Sequence, residues 1–501
     1  MKKYHIITYG CQMNVSDSER LAGTLSKTGY TQVTEEKEAD IIFINSCSVR
    51  QKAIDRIWGK LRTIEARSQK ESRQIIKILT GCVLPHDRSK LATRFDIFFP
   101  IKNLPKLPAL LKSLSHTDNK SENYETPIEK NYNKIAKKEI PNIELKLSNK
   151  PITPISQSPS SEKHYLQTKP VYTHKFSACV PIMTGCNAHC TYCAVPYTRG
   201  NEISRMPEEI IQEIENLVTS GYKEIVLLGQ IINKYMIKVD NTFFEYLDQI
   251  LTKHNIDVSY IPELQETVLR EKKLLKFHHL LAIIANIKGD FWLRFTSSHP
   301  KWFSQNLINT IKRHDKLVKH IHLPVQSGSN EVLKRMLRPY KVSEYKDIIT
   351  YIRDRIPEAS ITSDVIVGFC GESQKEFEQT KELFKFAKYD MAYISQYSTR
   401  PGTTAQKNLI DDIPQATKSQ REKELNIILK ETALNYNKKY LNQKVEVLIT
   451  DVKEKTIFGR TQANKNIKSP NTNQYNKNKI GTFTKIIVTE VTPWSLSGKL
   501  K

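Results

Sequence analysis

Alternating strand-like and helix-like segments open the chain. Apolar runs at residues 5–9, 41–45 and 75–80 are each followed by a polar stretch that suits a helix. This alternation is typical of a parallel sheet whose strands are joined by crossover helices. Residues 1–115 are therefore predicted to form a small parallel α/β domain.

The pattern then changes over residues 116–170. Ser, Asn, Lys and Pro dominate, as in LSNKPITPISQSPSSEK, and few apolar positions remain. Such a segment has little apolar surface to offset the chain entropy lost on folding. We interpret it as a flexible linker or insertion. Its lysines could contact RNA, but a solvated tether is the favoured interpretation.

The central part, residues 171–430, repeats a strand followed by a helix. One clear helix starts at Pro207 and has an apolar stripe through Ile210, Ile214 and Leu217. Six such units predict a partial (β/α)6 barrel. Residues 242–288 are longer than one crossover needs and are predicted to be an inserted helical excursion whose segment HHLLAIIANI faces the core. The six predicted strands are residues 176–183, 224–228, 291–296, 320–325, 360–367 and 391–397.

Residues 436–501 show a third pattern. The segments VEVLITDVK, TIFGRTQANKNI and GTFTKIIVTEVTPW alternate apolar and polar positions between Gly and Asn turns, which predicts a small β-barrel. The fold class is thus α/β with three parts: a parallel α/β domain, a partial barrel and a small β-barrel. Basic residues of the last part could line an RNA-facing surface or an ordinary solvated strand face: Lys453, Lys455, Arg460, Lys465 and Lys468.

Charge adds a possible partner but does not decide it. The 77 Lys and Arg residues against 53 Asp and Glu residues give a formal charge of +24, which favours a polyanion. An A/T-rich genome that enriches Lys and Asn would give the same excess. Because no apolar run reaches membrane-spanning length and the first residues lack a signal-peptide core, we expect a cytoplasmic protein that acts as a monomer without membrane contact.

Three cysteines lie close together on one short segment of the central part. Cys186, Cys190 and Cys193 have the spacing C-x3-C-x2-C, so their thiolates can converge on one soft metal centre. A structural zinc site takes four ligands, and no fourth cysteine follows nearby. Three thiolates on a cubane cluster would leave one iron open. A zinc knuckle and a disulfide scaffold are the alternatives, but eight Cys in 501 residues are sparse for the latter.

A second set of cysteines is spread over the first domain. Cys11, Cys47 and Cys82 follow the apolar runs HIITYG, IIFINS and IIKILTG. The carboxyl ends of parallel strands meet at one edge, where open α/β sheets bind ligands. We therefore predict a second site with three thiolates, against the alternative of inert core cysteines. Cys179 is predicted to be a core residue, and Cys370 a spare thiol.

Polar residues follow the predicted barrel strands, where barrel enzymes place their chemistry. Any of them could contact a cofactor or substrate, or be a satisfied loop residue. Arg199 could bind a carboxylate or phosphate, or pair with Glu202. The candidate strand-end residues are Gln230, Ser298, His299, Gln326 and Asp364.

Several of these segments together resemble the methylthiotransferases, a family of radical S-adenosylmethionine (SAM) enzymes. The resemblance covers most of the chain except the two insertions. Two positions depart from the family pattern: Cys370 stands where Pro is usual, and Ala194 where a larger aliphatic residue is usual. The segments that resemble the family are YGCQMNVSDSER, GCNAHCTYCAVPYTRG, LLGQ, HLPVQSGSN, DVIVGFCGES and the C-terminal β-barrel.

The resemblance implies two 4Fe-4S clusters and SAM as cofactors, tRNA and an electron donor as partners, and a C-terminal TRAM domain that grips RNA. It implies that Cys11, Cys47 and Cys82 hold an auxiliary cluster, and that Cys186, Cys190 and Cys193 hold the cluster that chelates SAM. Tyr192 would contact the adenine of SAM. The other implied cofactor contacts are Gly229, Gln230 and Gln326.

The finer text GCQMN and CTYCAVPYTRG is similar to the branch of the family that methylthiolates C2 of N6-isopentenyladenosine beside the tRNA anticodon. Within the enzyme class, the alternatives are methylthiolation of threonylcarbamoyladenosine in tRNA or of a ribosomal-protein aspartate. From another class, the alternative is a metal-dependent RNA-binding module without catalysis. No catalytic side chain is assigned, because the cofactors would supply the radical chemistry.

Overall fold

The structure is a computed structural model that describes residues 2–48, 51–115, 164–472 and 475–500. Most of the predicted linker, residues 116–163, lies outside these ranges. None of the helices in the described ranges is long and apolar enough to cross a membrane.

The N-terminal domain is a five-stranded sheet with the order β2-β1-β3-β4-β5, and all neighbouring strands are parallel. Ile41 and Phe43 of β3 pack on one face, and Ile42 and Ile44 pack on the other. A strand that is apolar at every position suits this sheet because helices cover both faces. The strands are β1 (Lys3–Tyr9), β2 (Thr31–Gln32), β3 (Ile41–Cys47), β4 (Ile76–Cys82) and β5 (Ile97–Phe99), and the helices are Gln12–Lys27, Gln51–Lys70, Pro85–Leu91 and Leu107–Ser115.

The central part contains six parallel strands in two adjoining sheets, β6-β9-β12 and β13-β14-β15, and this confirms the predicted partial barrel. A parallel bridge between Leu293 and Leu317 joins the two sheets. The strands are β6 (Ser177–Pro181), β9 (Glu224–Leu228), β12 (Trp292–Phe295), β13 (His320–His322), β14 (Ser360–Val367) and β15 (Met391–Gln396), with a short antiparallel pair, β7 (Met183–Thr184) and β8 (Ile203–Ser204).

Helices cover the outside of this barrel. The predicted apolar stripe of Pro207–Thr219 is buried at Ile210, Ile214 and Leu217, because that face packs on the outer side of the sheet. The remaining helices outside the insertion are Val195–Arg199, Gln305–Arg313, Asn330–Arg335, Val342–Arg355, Gln374–Ala387, Thr404–Asn408 and Gln415–Asn437.

The predicted excursion at residues 242–288 is only partly helical. Its helices are Asn241–His254, Thr267–Arg270 and Phe277–Asn286. Two short strands that the sequence did not predict, β10 (Met236–Lys238) and β11 (Leu274–Lys276), pair antiparallel across it. The helix Phe277–Asn286 is buried from Phe277 to Ala285, so its apolar segment faces the core as predicted.

The C-terminal part is a closed five-stranded barrel with the order β16-β17-β18-β20-β19. The last strand was missed because SLSGKL has few apolar positions. It closes the barrel by pairing with both β18 and β19. The strands are β16 (Lys444–Lys453), β17 (Thr456–Thr461), β18 (Asn466–Pro470), β19 (Phe483–Val491) and β20 (Ser495–Leu500).

Two of the basic residues proposed for an RNA surface instead attach this small barrel to the central one. Arg460 pairs with the buried Glu224, and the Nζ of Lys465 lies 2.9 Å from Asp390 Oδ1. The rings of Trp292 and Phe483 also meet across this contact, with centroids 4.8 Å apart. The RNA-facing prediction is therefore wrong for Arg460 and Lys465. The alternation of apolar and polar residues predicts which positions share one face of a strand, but it does not predict which other surface packs against that face. The other three lysines are exposed, at 453, 455 and 468.

We expect Lys465→Met to lower the free energy of unfolding by about 3 kcal/mol, because it leaves the fully buried carboxylate of Asp390 without its nearest cation. Met keeps a long unbranched side chain but also removes the cation–π contact of the Lys465 ammonium with the Tyr436 ring. Lys468→Met, at an exposed position of β18, is the matched control and should change stability by less than about 0.5 kcal/mol. Urea unfolding of both variants checks this; equal losses would contradict it.

The N-terminal domain docks on the barrel through its first helix, Gln12–Lys27. Met13 packs against Cys179, Val226 and Leu228, and the Ser16 hydroxyl donates to the Cys179 carbonyl at 3.4 Å. Val226 and Leu228 alternate with residues that pack outward, so Met13 reaches the inner face of the barrel. Cys179 lies in β6 and packs, partly buried, against this apolar cluster, in line with its prediction as a core residue.

Residues 164–170, which the sequence assigned to the linker, run along the N-terminal domain. Tyr165 and Leu166 are 2% and 0% exposed and pack with Leu107 and Leu111 in one of its two cores. The Tyr165 hydroxyl donates to Thr184 Oγ1 at 3.2 Å, which ties this stretch to the barrel as well. Two apolar residues within a polar stretch are enough to form this contact.

Candidate metal centres

The barrel triad, Cys186, Cys190 and Cys193, lies on the loop between β7 and the helix Val195–Arg199. The loop begins at Gly185, which has a φ of 77°, and a Cβ at that residue would lie 1.9 Å from the carbonyl oxygen of Asn201. Only glycine can adopt this conformation without strain. The Cys186 amide then donates to the Gly200 carbonyl at 3.1 Å, so the loop closes on its own C-terminal end.

Thr191 holds the middle of this loop against the far side of the barrel. Its hydroxyl donates to the Arg335 carbonyl at 3.0 Å, and its amide donates to the Met336 carbonyl at 3.1 Å. Its own carbonyl accepts from the Ala405 amide at 2.7 Å. Three hydrogen bonds to distant segments therefore fix a loop that has little regular structure.

The thiols of the barrel triad are shielded from water but have donors nearby. Burial raises the pKa of Cys186 to about 11 and that of Cys193 to about 12. Arg338 Nη1 lies 3.5 Å from the Cys190 sulfur, and the Val195 amide donates to the Cys193 sulfur at 3.5 Å. The thiolate ligands of a metal cluster accept hydrogen bonds from N–H groups placed in this way. The set therefore fits a metal-bound cluster, whose positive irons would offset the cost of burying thiolates.

The auxiliary triad, Cys11, Cys47 and Cys82, forms at one edge of the N-terminal sheet. Cys47 and Cys82 end β3 and β4 and stand opposite each other in register. Cys11 follows β1, the neighbour of β3 on its other side, and caps the helix Gln12–Lys27. The structure thus brings together the three cysteines that the strand ends predicted. Cys11 is exposed, Cys47 is half-buried and Cys82 is buried.

Opposing effects act on the pKa of Cys82. A hydrogen bond with Cys47, together with burial, raises the pKa of Cys82 well above its usual value, while the charge of Arg199 acts to lower it. Asn14 Oδ1 accepts from the Cys11 amide at 3.2 Å and holds that turn.

The spacing of the sulfurs bears on the choice of metal. Within the described ranges, one group brings three potential ligand atoms within 4.8 Å of one another, and it contains no cysteine: Glu266, His278 and His279. Three thiolates on a single zinc, each about 2.3 Å from the metal, would lie about 3.8 Å apart. In each triad at least one pair of sulfurs is therefore more than 4.8 Å apart, which is farther than a single zinc requires.

The group of Glu266, His278 and His279 is better explained by hydrogen bonds than by a metal. The Lys276 amide donates to His279 Nδ1 at 3.0 Å, so the proton of that ring is on Nε2, which lies 3.0 Å from Glu266 Oε2. A nitrogen that carries a proton cannot ligate a metal. His278 Nε2 lies 3.1 Å from the same oxygen. The group therefore joins Glu266 to the helix Phe277–Asn286 within the insertion through hydrogen bonds.

Several predicted strand-end residues present unpaired polar atoms at the carboxyl end of the barrel. Gln230 Oε1, Ser298 Oγ and His299 Nε2 are buried without a hydrogen-bond partner among the described residues. Buried polar atoms are normally paired, so three of them at one end of a barrel indicate a ligand-binding site. Gln326 has a φ of 70°, which is strained for a residue other than glycine. Gly229 has no room for a larger side chain, because an added Cβ would lie 2.6 Å from the Met183 side chain.

His299 is a neutral donor in this site. Burial, followed by the nearby charge of Arg338, lowers its pKa to about 2. Its Nδ1 accepts from the Lys301 amide at 3.2 Å, so Nε2 carries the proton. The ring lies between Trp302 and Tyr340, with centroids 4.6 and 5.5 Å away. His299 can therefore donate a hydrogen bond to a ligand but cannot act as an acid at neutral pH.

Tyr192 and Cys370 share a small apolar cluster beside the barrel triad. The Tyr192 ring is edge-on to Phe369, with centroids 6.4 Å apart, and remains partly accessible. Cys370 is buried in the same cluster near Tyr397, where burial raises its pKa. It is a shielded thiol, in line with its interpretation as a spare one.

Asp364 lies on the inner face of the barrel, where His322 Nε2 is 3.5 Å from its Oδ2. The His322 ring also meets the exposed Tyr393 of β15, with centroids 6.2 Å apart. The sequence did not predict a contact role for Tyr393, His322 or Arg338. Arg338 reaches Cys190 across 148 residues of chain, and no local spacing could have indicated that contact.

Arg199 pairs with a carboxylate of the N-terminal domain, that of Asp17, and not with Glu202, which was one of the partners considered for it. Its Nη2 donates to Asp17 Oδ2 at 2.7 Å, and the two side chains are 3% and 0% exposed. Glu202 instead pairs with Lys234 at 2.8 Å. Glu202 was considered because it is close in sequence, whereas the fold brings in the first helix of another domain.

Three family models match the chain in the order of its three parts. They are Uncharacterized protein family UPF0004 over residues 3–99, the Radical SAM superfamily over residues 180–384 and the TRAM domain over residues 438–501. A radical SAM domain implies SAM and a 4Fe-4S cluster as cofactors, and the barrel triad fits that cluster. Among solved structures, the radical SAM methyltransferase TsrM from Kitasatospora setae is 11% identical, with a TM-score of 0.49 over 81% of this chain and 75% of that chain, a similarity too low to bear on function.

Curated relatives match over the whole chain. A protein from Bacillus mycoides is 34% identical over 508 residues, covering 100% of this chain and 86% of the relative. One from Carboxydothermus hydrogenoformans is 34% identical over 507 residues, covering 100% of this chain and 99% of the relative. Each is named tRNA-2-methylthio-N(6)-dimethylallyladenosine synthase. With identity at this level from end to end and all three domain models matched, the chain belongs to the radical SAM methylthiotransferase family of these synthases.

Proposed function

We propose that the chain replaces the C2 hydrogen of N6-isopentenyladenosine beside the tRNA anticodon with a methylthio group. The observation that carries this proposal is the presence of two sites of three cysteines each, one on the barrel loop and one at the edge of the N-terminal sheet. The names of the relatives support the substrate. The finer residue pattern of the two cysteine motifs agrees with that branch of the family.

The residues divide into two cofactor sites. Cys186, Cys190 and Cys193 would hold one 4Fe-4S cluster with SAM beside it, and Cys11, Cys47 and Cys82 would hold a second. When bound, these cofactors supply radical chemistry and a transferable sulfur group. In each triad at least one pair of sulfurs lies farther apart than a single zinc requires, which supports clusters over single zinc ions. The SAM contacts expected from the sequence remain a proposal: Tyr192, Gly229, Gln230 and Gln326.

The protein side chains have a limited but defined task in this reaction. The C2 hydrogen of adenine is too unreactive for a side-chain base, so the cofactors must activate it. The unpaired Gln230 Oε1 and Ser298 Oγ, with the His299 Nε2 proton, are suited to orient polar groups of SAM or of the base. Met13 covers the inner strands of the barrel from the N-terminal side and helps to exclude water.

The tRNA would be bound mainly by its phosphates. Anticodon-loop bases are single-stranded, so exposing one costs less than opening a duplex. The C-terminal barrel presents Lys453, Lys455 and Lys468 to solvent, and the first and last of these lie on either side of Phe458. These lysines are suited to neutralise phosphates.

A direct assay tests this function. The full chain is loaded with iron and sulfide without oxygen, then given SAM, a reductant and isopentenylated tRNA, and the nucleosides are analysed by mass spectrometry. We expect about eight irons per chain for two cubanes and a 2-methylthio product that depends on the isopentenyl group. tRNA carrying threonylcarbamoyladenosine and a ribosomal-protein substrate are the controls. Product from either control alone would move the proposal to that branch, and zinc without sulfide would overturn it.

A further inference from the structure

The inner face of the second barrel sheet carries an aromatic ring next to a carboxylate. Ile361 and Val365 of β14 belong to the core between the barrel and its outer helices, so the alternate position Asp364 faces the barrel interior. In the parallel register of β14 and β15, Asp364 stands opposite Tyr393. Residues paired in this way lie on the same face of a sheet. Both side chains therefore face the interior of the barrel.

These two side chains are open to solvent although they lie inside the barrel. Tyr393 is 54% exposed, which is unusual for a large aromatic residue of a central strand. The Asp364 side chain is 42% exposed, and the nearest cationic group that the structure places beside it is His322 Nε2 at 3.5 Å. An accessible aromatic ring beside an accessible carboxylate in a concave face is a common form of ligand-binding site.

His322 lies between the two side chains and is itself held in place. Its ring is 6.2 Å from that of Tyr393, centroid to centroid, at an angle of 71°. Its Nδ1 lies 3.0 Å from Thr362 Oγ1, and its side chain is only 14% exposed. The carboxylate and the phenol ring are thus separated by a fixed imidazole, which gives them a defined spacing.

The same face continues toward the residues expected to contact SAM. Ile366, the next inward position of β14 after Asp364, packs on the same apolar cluster as Tyr192. The Gln326 amide donates to the Asp364 carbonyl at 2.9 Å. A group that reacts with SAM-derived chemistry must be held beside the SAM site. Asp364 and Tyr393 occupy that neighbouring position.

The chemistry of this pair matches an adenine base with one substituent on N6. Such a base has a single N–H donor, on N6, and a carboxylate is a group that only accepts hydrogen bonds. Aromatic side chains stack on the unpaired bases of RNA loops. N6 and C2 lie on either side of N1 in the ring, so a base held at N6 keeps its C2 edge open for reaction.

We propose that Asp364 and Tyr393 form the subsite for the target base: Asp364 accepts the N6–H hydrogen bond and Tyr393 stacks on the ring. The inference rests on the proposed function, which supplies the N6-substituted adenine. It assigns selectivity for a base with one N6 substituent to one carboxylate of β14.

The test measures RNA affinity of the full chain loaded with iron, sulfide and SAM, without a reductant so that no turnover occurs. Two anticodon stem–loop RNAs are compared by fluorescence anisotropy. One carries N6-isopentenyladenosine, and the other carries N6-methyl-N6-isopentenyladenosine, which has no N6–H. The wild type should bind the first about tenfold more tightly, because it loses a hydrogen bond to a charged group with the second. Asp364→Ala should bind both RNAs equally, since the acceptor is gone.

Matched variants separate the subsite from general effects. Asp354→Ala removes an exposed carboxylate of the outer helix Val342–Arg355 and should keep the preference for N6–H. Tyr393→Leu should weaken binding of both RNAs roughly tenfold through loss of stacking, whereas Tyr393→Phe should bind as the wild type does. Tyr260→Leu changes an exposed tyrosine of the insertion and should have no effect.

The outcomes are distinct. Equal affinity of the wild type for both RNAs overturns the inference, as does a preference that persists in Asp364→Ala or wild-type affinity in Tyr393→Leu. Methylthio product from the wild type without any such preference would overturn the subsite alone. A preference that depends on Asp364, in wild-type protein that forms no methylthio product when reductant is added, would overturn the proposed function and support the subsite.

Discussion

Cys47→Ala is expected to abolish formation of the methylthio nucleoside while SAM cleavage continues, whereas Cys190→Ala is expected to abolish both. Cys47 belongs to the strand-end triad and stands in register with Cys82. Cys190 belongs to the loop triad, where Arg338 contacts its sulfur. Because the two sites use separate elements, loss of one ligand should leave the other site intact. Chromatography of 5′-deoxyadenosine and of the modified nucleoside measures both activities in one reaction.

Cys370→Ala is the matched control for these variants. Its thiol is buried in the apolar cluster with Phe369 and belongs to neither triad, so both activities should persist. Iron content should fall by half in either triad variant and stay unchanged in the control. Loss of SAM cleavage to the same extent in Cys47→Ala and Cys190→Ala, in protein that remains folded, would contradict the separation of the two sites.

Replacing Lys453, Lys455 and Lys468 together by Ala is expected to weaken tRNA binding strongly. Each lost phosphate contact reduces the slope of log affinity against log salt by about 0.7–0.9, so three contacts reduce it by roughly 2–3. SAM cleavage without tRNA should not change, since these lysines lie on the C-terminal barrel. Filter binding or fluorescence anisotropy over a series of salt concentrations measures the slope.

A charge-matched control is available on the outer helices. Lys375, Lys385 and Lys423 are also exposed, and replacing all three by Ala changes net charge equally. If this control weakens tRNA binding as much as the first variant does, then overall charge and not the C-terminal barrel determines affinity. An unchanged salt slope in the first variant would remove these lysines from the RNA surface.

Surface substitutions are a better test of RNA binding than removal of the whole C-terminal barrel. Truncation after Leu441 would take Arg460 from the buried Glu224 and Lys465 from the buried Asp390. It would also uncover Trp292 where Phe483 packs on it. Removing the cation from a buried carboxylate strongly destabilises the folded protein. Weaker binding after truncation could therefore reflect a damaged central barrel.

Regular periodicity made much of this fold predictable. The strands at residues 224–228 and 360–367 have the predicted bounds, because continuous apolar runs between turn signals have few other solutions. The convergence of Cys11, Cys47 and Cys82 was also predictable, since it needs only that three parallel strands be neighbours. The pair β10 and β11 was missed because three-residue strands leave no periodic signal.

Contacts between domains were the part that local sequence could not predict. For Arg199 the sequence left a carboxylate, a phosphate or the neighbouring Glu202 open as partners, and the partner is Asp17, 182 residues away along the chain. Lys465 was expected to face solvent and instead meets Asp390. In both cases a charged residue has several possible partners, and the choice depends on how separately folded parts pack together.

The central barrel is joined to its neighbours at both ends by directional charge pairs. Arg199 with Asp17 and Arg20 with Glu213 secure the N-terminal side, and Arg460 with Glu224 secures the other. Apolar surfaces can pack in many relative orientations, whereas a guanidinium and a carboxylate form their hydrogen bonds in only a few. Misplacement of reacting groups by about 1 Å can slow a reaction a hundredfold. These pairs therefore leave the domains little freedom to rotate against each other, as the proposed transfer of a methylthio group between sites in two domains would require.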